Sequence, residues 1–341
     1  MARVTIEDVA LAAGLSVATV DRVLNGRAAV RPQTAQKVEK AIRQLNYQPD
    51  RLAARLAKGQ EYRFCFVLPE GNNDFMIGLG EEVRAMASHL VSERVQIDLR
   101  LTDVFDAAAL AATLDSIGDI YDGVAVVALD HPRVREAING LVERGVSVVT
   151  LVSDVPSSKR VHYAGIDNSS AGRTAATLMG RFLGGKTGKV GLIAGSLSLR
   201  DHIERRFGFE QVLAQEFPQL AILPVLESRD DWQRVEKVTA EMLSAHTDLI
   251  GIYNVGAGAR GIVAALENTG RQKQVTYIAH ELTDHTRRAL VDGTIDAIIN
   301  QNAGHEVRSA VRVLMAKADR TPLIEAMEHI RIDIFVRDNL P

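Results

Sequence analysis

From residue 61 to the end, the chain alternates short apolar runs with amphipathic helical stretches, and that rhythm confines it to parallel α/β architecture. The runs that read as strands are Arg63–Leu68, Val95–Leu101, Gly123–Leu129, Val146–Val152, His162–Ile166, Lys189–Ala194, Ala221–Leu226, Leu249–Tyr253, Gln274–Ala279, Asp296–Asn300 and Ile330–Val336. Helices fill the gaps. Right-handed βα crossovers over this length suit two doubly wound parallel-sheet lobes with a cleft between them. Ligands of open α/β sheets bind outside the carboxyl ends of the strands, so function is sought just after each one.

The 341 residues, 46% hydrophobic, exceed one ordinary core. Charge is uneven. Residues 1–60 hold ten lysines and arginines against five acids, leaving 30 against 38 for the rest. A basic head on an acidic body points to a polyanion met at one end. The single cysteine, Cys65, lies in the apolar run Phe64 to Leu68 and reads as core packing in a reducing compartment. No apolar stretch reaches membrane-spanning length, and MARVTIEDVALAAG lacks a secretory apolar block, so no membrane association and a cytoplasmic location are expected.

The head divides into three short helices. Thr5 offers an N-cap with Asp8 three residues on, and Ile6, Val9, Ala10 and Ala13 form one stripe. Gly14 suits the left-handed stop, Leu15 the corner, and Ser16 the cap of a second helix whose Val20, Val23 and Leu24 face inward. Asn25-Gly26 ends that helix. Pro32 opens a third, lined by Ala35, Val38, Ile42 and Leu45. Spacing by itself fits a plain three-helix bundle as well as a helix-turn-helix.

The residues in detail separate these readings. VTIEDVALAAGLSVATVDRVLNG followed by VRPQTAQKVEKAIRQLNYQPDRLAARLAKG closely resembles the DNA-binding head of the LacI/GalR family, without a gap from Val4 to Gly59. The resemblance implies a head over 1–47, a hinge helix over 48–60 and an effector and dimerisation domain over 61–341. The effector lobes are expected at about 61–161 with 295–324, and about 162–294 with 325–341. In a recognition helix entering the major groove, Val17, Ala18 and Arg22 are best placed for base edges, with Arg22 able to pair bidentately with guanine. Thr5, Ser16, Thr19, Asn25, Arg27 and Arg31 suit phosphates. Val17 and Ala18 stand where many relatives are polar, and Asp21 where small hydroxylated residues are usual. By resemblance, paired hinge helices of a homodimer carry Arg51, Ala53 and Leu56 into the minor groove of a pseudo-palindromic operator, with Leu56 as the wedge.

The remainder resembles the effector domain shared with ribose-binding-type periplasmic proteins, which implies a small sugar or polyol held by Asn73, Phe75, Asp130, Arg205, Asn254, Glu281 and Gln301. Amide, carboxylate and guanidinium groups each grip vicinal hydroxyls, and a phenyl face covers a sugar's C–H surface. Asn or Asp after a strand serves equally as a helix cap. Val255 after Asn254, and Glu281 in place of a usual Asp, depart from the family pattern. Asp167-Asn168-Ser169-Ser170-Ala171-Gly172 fits a structural turn.

Other chemistry is weakly supported. Gly256-Ala257-Gly258-Ala259-Arg260-Gly261 spells a dinucleotide fingerprint but reads as close helix packing. The nine histidines show no metal spacing, no cofactor or catalytic residue is expected, and Trp232, inside a helical stretch, is not read as a ligand platform. The expectation is a ligand-controlled repressor, not an enzyme; the alternative is a sugar-transport binding protein. With no leucine heptads after the last strand, no tail-driven tetramer is expected.

Overall fold

The computed structural model describes residues 4–24, 30–47 and 61–341, and the chain divides into two compact units, Met1–Glu61 and Tyr62–Pro341. The expected hinge at 48–60, with Arg51, Ala53 and Leu56, lies outside the described residues, as do Asn25 and Arg27.

In the head, α1 (Ile6–Ala13), α2 (Val17–Leu24) and α3 (Pro32–Leu45) form as their caps dictate. Thr5 and Asp8 make a reciprocal capping box, and Gly14 ends α1 at φ 65°, where a Cβ would be strained. Ser16 Oγ accepts from Thr19 N at the start of α2. The core is Val9, Ala10, Val20, Val38 and Ala41, walled by Leu15, Val23, Leu24, Ile42, Leu45 and Tyr47. The stripes read from the sequence therefore meet in one small core.

The second unit contains two sheets. The first is ordered β2 (Val95–Thr102), β1 (Tyr62–Pro69), β3 (Gly123–Val126), β4 (Ser147–Leu151), β5 (His162–Ala164), all parallel. Alternate side chains of β1 feed opposite cores. Phe64, Phe66 and Leu68 pack with α4 (Asp74–Leu90) and α12 (Ala303–Ala318), while Cys65 and Val67 pack with α5 (Ala107–Asp115) and α6 (Pro132–Glu143). Burial on both faces explains the unbroken apolar run, each large side chain contributing about 1.5–3 kcal/mol. Burial also pushes the Cys65 thiol up to about 11, so it is packing material.

The second sheet is ordered β12 (Ile332–Phe335), β11 (Ala297–Gln301), β10 (Thr276–His280), β9 (Leu249–Asn254), β6 (Gly188–Ala194), β7 (Leu220–Ile222), with β8 (Leu226–Glu227) also against β6. Against the all-parallel expectation, β12 runs antiparallel to β11. The expected strand Ala221–Leu226 is two short pieces; Leu223 N still bonds Val190 O, but Pro224 has no N–H to continue the ladder. Helices α7 (Asn168–Leu183) and α8 (Arg200–Glu216) cover one face; α9 (Trp232–Ala245), α10 (Ala259–Asn268) and α11 (Asp284–Asp292) cover the other.

The chain passes between lobes after β5, after β11 and again between α12 and β12. The sheets correct the expected limits: β5 belongs with the first lobe and β11 with the second, so the crossings fall at 164–168 and 301–303 instead of 162 and 295. A pairing strand must stay with its sheet, and the switch comes in the loop that follows. Among the described residues no helix is long and apolar enough to cross a membrane.

Helices α7 and α8 touch backbone to backbone. A Cβ on Gly172 would lie 1.9 Å from the Arg205 carbonyl oxygen, and one on Gly208 would lie 2.2 Å from that of Ser169. Overpacking typically costs about 1–3 kcal/mol, and here the obstruction is main chain that cannot rotate away. Gly172→Ala is therefore expected to lower the melting temperature of the protein by several degrees. An unchanged melting curve would show that the helix pair separates without cost.

Candidate functional site

The carboxyl ends of both sheets face a cleft of about 480 Å³, within the roughly 300–1,000 Å³ range of small-molecule sites. The first lobe supplies Asn73 and Phe75 after β1, Asp103 and Phe105 after β2, and Ser153 after β4. The second supplies Asp201, His202 and Arg205 from α8, Asp230 and Trp232 after β8, Gly256–Arg260 after β9, Glu281 after β10 and Gln301 from β11.

Arg205 organises the floor. The close approach of α7 and α8 lets its Nε donate to Asn168 Oδ1 at 2.8 Å and its Nη1 to Val255 O at 3.0 Å. Asn168 is in turn fixed by donating to the Tyr163 hydroxyl at 3.0 Å, and Asp167 caps α7, so the expected turn is structural. Burial works against the guanidinium's charge, but Asp201 and Glu281 more than offset it and hold its pKa above the usual range. Its Nη2 has no hydrogen-bond partner and stands 3.9 Å from Glu281 Oε1.

Glu281 accepts from Gln301 N at 3.3 Å and Gln301 Nε2 at 2.8 Å. Its backbone is left-handed at φ 67°, as is that of Val152 at φ 60° on the opposite wall. Non-glycine residues persist there where the surroundings over-determine them, commonly at ligand sites. Burial pushes the Glu281 carboxyl up to about 7, against the lowering effect of Arg205. His280, its neighbour, is held well below the ordinary histidine range by burial, and is neutral. Behind them Glu306 on α12 is fully buried with both oxygens unpartnered, and burial first, then Glu281, drives its pKa well up. The unpaired buried atoms on the cleft itself include Asp201 Oδ1, Arg205 Nη2 and Gln301 Oε1. Buried polar atoms left open carry a desolvation cost of about 1–3 kcal/mol each, which a bound hydrogen-bonding molecule removes.

Of the seven residues expected to hold ligand, five line the cleft and two do not. Asp130 is an ion-pair partner of Arg135 at 3.1 Å and of Arg200, across the lobes, at 3.3 Å. Placed at the mouth of α6, it is within reach of two guanidinium groups before any ligand. Asn254 is fully buried beneath the floor, where Nδ2 donates to Ala257 O at 3.2 Å and braces the turn. Asn73 reaches the cleft with its amide already engaged. Oδ1 caps α4 through Phe75 N and Met76 N, while Nδ2 donates across the cleft to Asp230 Oδ2 at 3.0 Å.

Trp232 corrects the reading that set it aside. It is the first residue of α9, directly after the Asp231 cap, and lines the cleft with Arg260 stacked 4.3 Å from its ring centroid. A helical position did not exclude it, because the first turn of a helix that follows a strand opens onto the cleft. Gly261 does serve close packing: a Cβ there would lie 2.1 Å from Trp232 O. Asp201, Asp230 and Ser153 were not foreseen; Asp201 was legible as the acid one helical turn before Arg205.

On the head, Val17, Ala18 and Arg22 are exposed on α2, opposite Val20. Thr5 and Ser16 spend their hydroxyls on caps, Ser16 Oγ lying 2.9 Å from Thr19 Oγ1, and Arg31 is exposed at the start of α3. The free N-terminal amides of a capped helix add anion-binding capacity.

A hydrogen-bonding cleft on a two-lobed α/β unit, preceded by a helix-turn-helix head, defines a ligand-binding protein equipped to meet DNA. Residues 64–321 match the periplasmic binding protein domain, and the chain belongs to that family; residues 5–50 match bacterial regulatory proteins, lacI family. It is 30% identical over 216 residues to the HTH-type transcriptional regulator AglR of Rhizobium meliloti, an alignment spanning 62% of this chain and 58% of AglR. Identity to the HTH-type transcriptional regulator GalS of Salmonella typhimurium is 25% over 287 residues, 78% of this chain and 76% of that one. The crystal structure of GanP, a glucose-galactose binding protein from Geobacillus stearothermophilus, superposes with a TM-score of 0.73 at 23% identity, covering 83% of this chain and 99% of GanP, which establishes the shared fold.

Because Glu281 titrates near 7 when folded and near 4.3 when unfolded, the native state binds more protons between those values. Stability therefore falls as pH rises from about 4.3 to 7, and Glu306 acts in the same direction. Glu281→Gln is expected to melt above the wild type at about pH 8, with the gap closing toward about pH 5. A gap independent of pH would mean that this carboxyl does not titrate in the window.

Proposed function

We infer that the chain is a homodimeric, cytoplasmic repressor without enzymatic activity, whose grip on a pseudo-palindromic operator is set by a sugar or polyol closing the cleft. What carries this reading is the coexistence, in one chain, of an exposed α2 face on a capped helix-turn-helix with buried cleft atoms that lack partners. Arg22 reads base edges; Thr5, Ser16, Thr19 and Arg31 position the head on phosphates, with Val17 and Ala18 making apolar contacts. The sugars in the name of GanP support a monosaccharide-sized ligand.

Closure needs the ligand. The lobes are bridged by Asn73 to Asp230, Asp130 to Arg200 at 3.3 Å, and Asp103 to Arg229 at 3.7 Å. Partly exposed pairs of this kind are worth about 0–1 kcal/mol each. A ligand at a hundredfold its Kd contributes about 2.7 kcal/mol. The bridges therefore bias closure, and the ligand decides it.

Arg22→Ala is expected to weaken operator binding by about 1–3 kcal/mol while non-specific DNA binding is nearly unchanged. Equal losses on both DNAs would reduce Arg22 to a phosphate contact. A sugar that raises the melting temperature is expected to change operator affinity about 5–150-fold. A sugar that binds the cleft with no such change would remove the regulatory reading and favour a plain binding protein.

A further inference from the structure

The cleft is short of positive charge. Its carboxylates are Glu70, Asp74, Asp103, Asp201, Asp230 and Glu281, against three guanidinium groups, Arg205, Arg229 and Arg260. Two of the three are engaged elsewhere: Arg229 with Asp103 at 3.7 Å, and Arg260 over the Trp232 ring at 4.3 Å. That leaves Arg205 to balance Asp201 and Glu281, with the His202 ring 3.6 Å from Asp201 Oδ2. Two side-chain acceptors on the floor lack partners, Asp201 Oδ1 and Gln301 Oε1, on residues 4% and 2% exposed, beside the Arg205 Nη2 donor, with Ser153 Oγ on the opposite lobe. Asp201 lies one turn before Arg205 on α8, Arg205 Nη2 stands 3.9 Å from Glu281 Oε1, and Gln301 donates to Glu281, so the acceptors gather on one region of the floor.

A ligand bearing phosphate or carboxylate would add negative charge here, and like charges in a partly desolvated cleft repel more strongly than in water. A neutral hexose supplies donors but leaves the charge unbalanced. An ammonium supplies three donors and one positive charge together. Charge-assisted hydrogen bonds of that type are roughly twice as strong as neutral ones.

We propose that the cleft selects a protonated aminodeoxyhexose, its ammonium received by Asp201 and Gln301 on the floor beside Glu281 and its hydroxyls by Arg205. This deepens the reading of the cleft as a sugar site and depends on it. Ser153 Oγ, buried without a partner on the opposite lobe, is available to a further hydroxyl.

The test is thermal shift and calorimetry on the full chain with D-glucosamine, D-galactosamine and D-mannosamine, each beside its N-acetyl form, its parent hexose and the parent's 6-phosphate. At least one amine is expected to bind about tenfold or more tightly than its parent and its N-acetyl form, with no stabilisation by the 6-phosphate. Asp201→Asn is expected to bring that amine down about tenfold, toward its parent; the N-acetyl comparison gives the same answer on the wild-type protein should the variant fail to fold. Binding of a neutral hexose or a sugar phosphate as tightly as the amine, or binding of none of the three amines, overturns the proposal. A neutral sugar that binds and shifts operator affinity would do so while leaving the regulatory reading intact. An amine that binds tightly without touching operator affinity would uphold this proposal and sink that reading.

Discussion

The effector unit is arranged around one buried positive charge. Arg205 is fully withdrawn from water, which is tolerable only because Asn168 and the Val255 carbonyl take two of its donor groups and acids surround the rest. Each partner comes from a different element: Asn168 from the start of α7, Val255 from the end of β9, Glu281 from the end of β10. The guanidinium can reach them because Gly172 and Gly208 let two helices meet main chain to main chain. Packing, electrostatics and the shape of the cleft floor are therefore one problem with one solution. Two bare glycines decide where a charge sits, and the charge decides what the cleft can hold.

Much of this was readable in the residues. The period-two and period-3.6 patterns placed the strands, apart from the break at Pro224, and the three head helices, because burial on both faces of a parallel sheet and on one stripe of a helix leaves a clear trace. Caps were equally plain, since Thr5, Gly14, Ser16 and Pro32 each have one stereochemical use at those positions. Five of the seven residues expected to hold ligand line the cleft, most of them because the carboxyl ends of strands were visible, and so was what followed them.

The misses are of another kind. Asp130 follows a strand as expected, yet Arg200 lies 70 residues further along the sequence, in the other lobe, and no local pattern records that the two meet. Asn254 fell one layer beneath the surface, where a single residue of depth separates bracing a turn from touching a ligand. Trp232 was set aside as a helix residue, although it is the first residue of its helix and that first turn borders the cleft. Secondary structure is local and leaves its mark in composition; pairing across a cleft, and depth within it, are settled by the closure of the whole unit.

Val152 and Glu281 line the cleft from opposite lobes in a backbone conformation that costs a side-chain-bearing residue of order 1–3 kcal/mol. That cost is met by the folded chain before any small molecule arrives, through strand pairing at Ala164 and Ile299 respectively. The walls are thereby preorganised: an incoming guest has the lobes to draw together but no loop to freeze. Selectivity at such a surface comes from rigid geometry, and discrimination between epimers follows from walls that cannot yield.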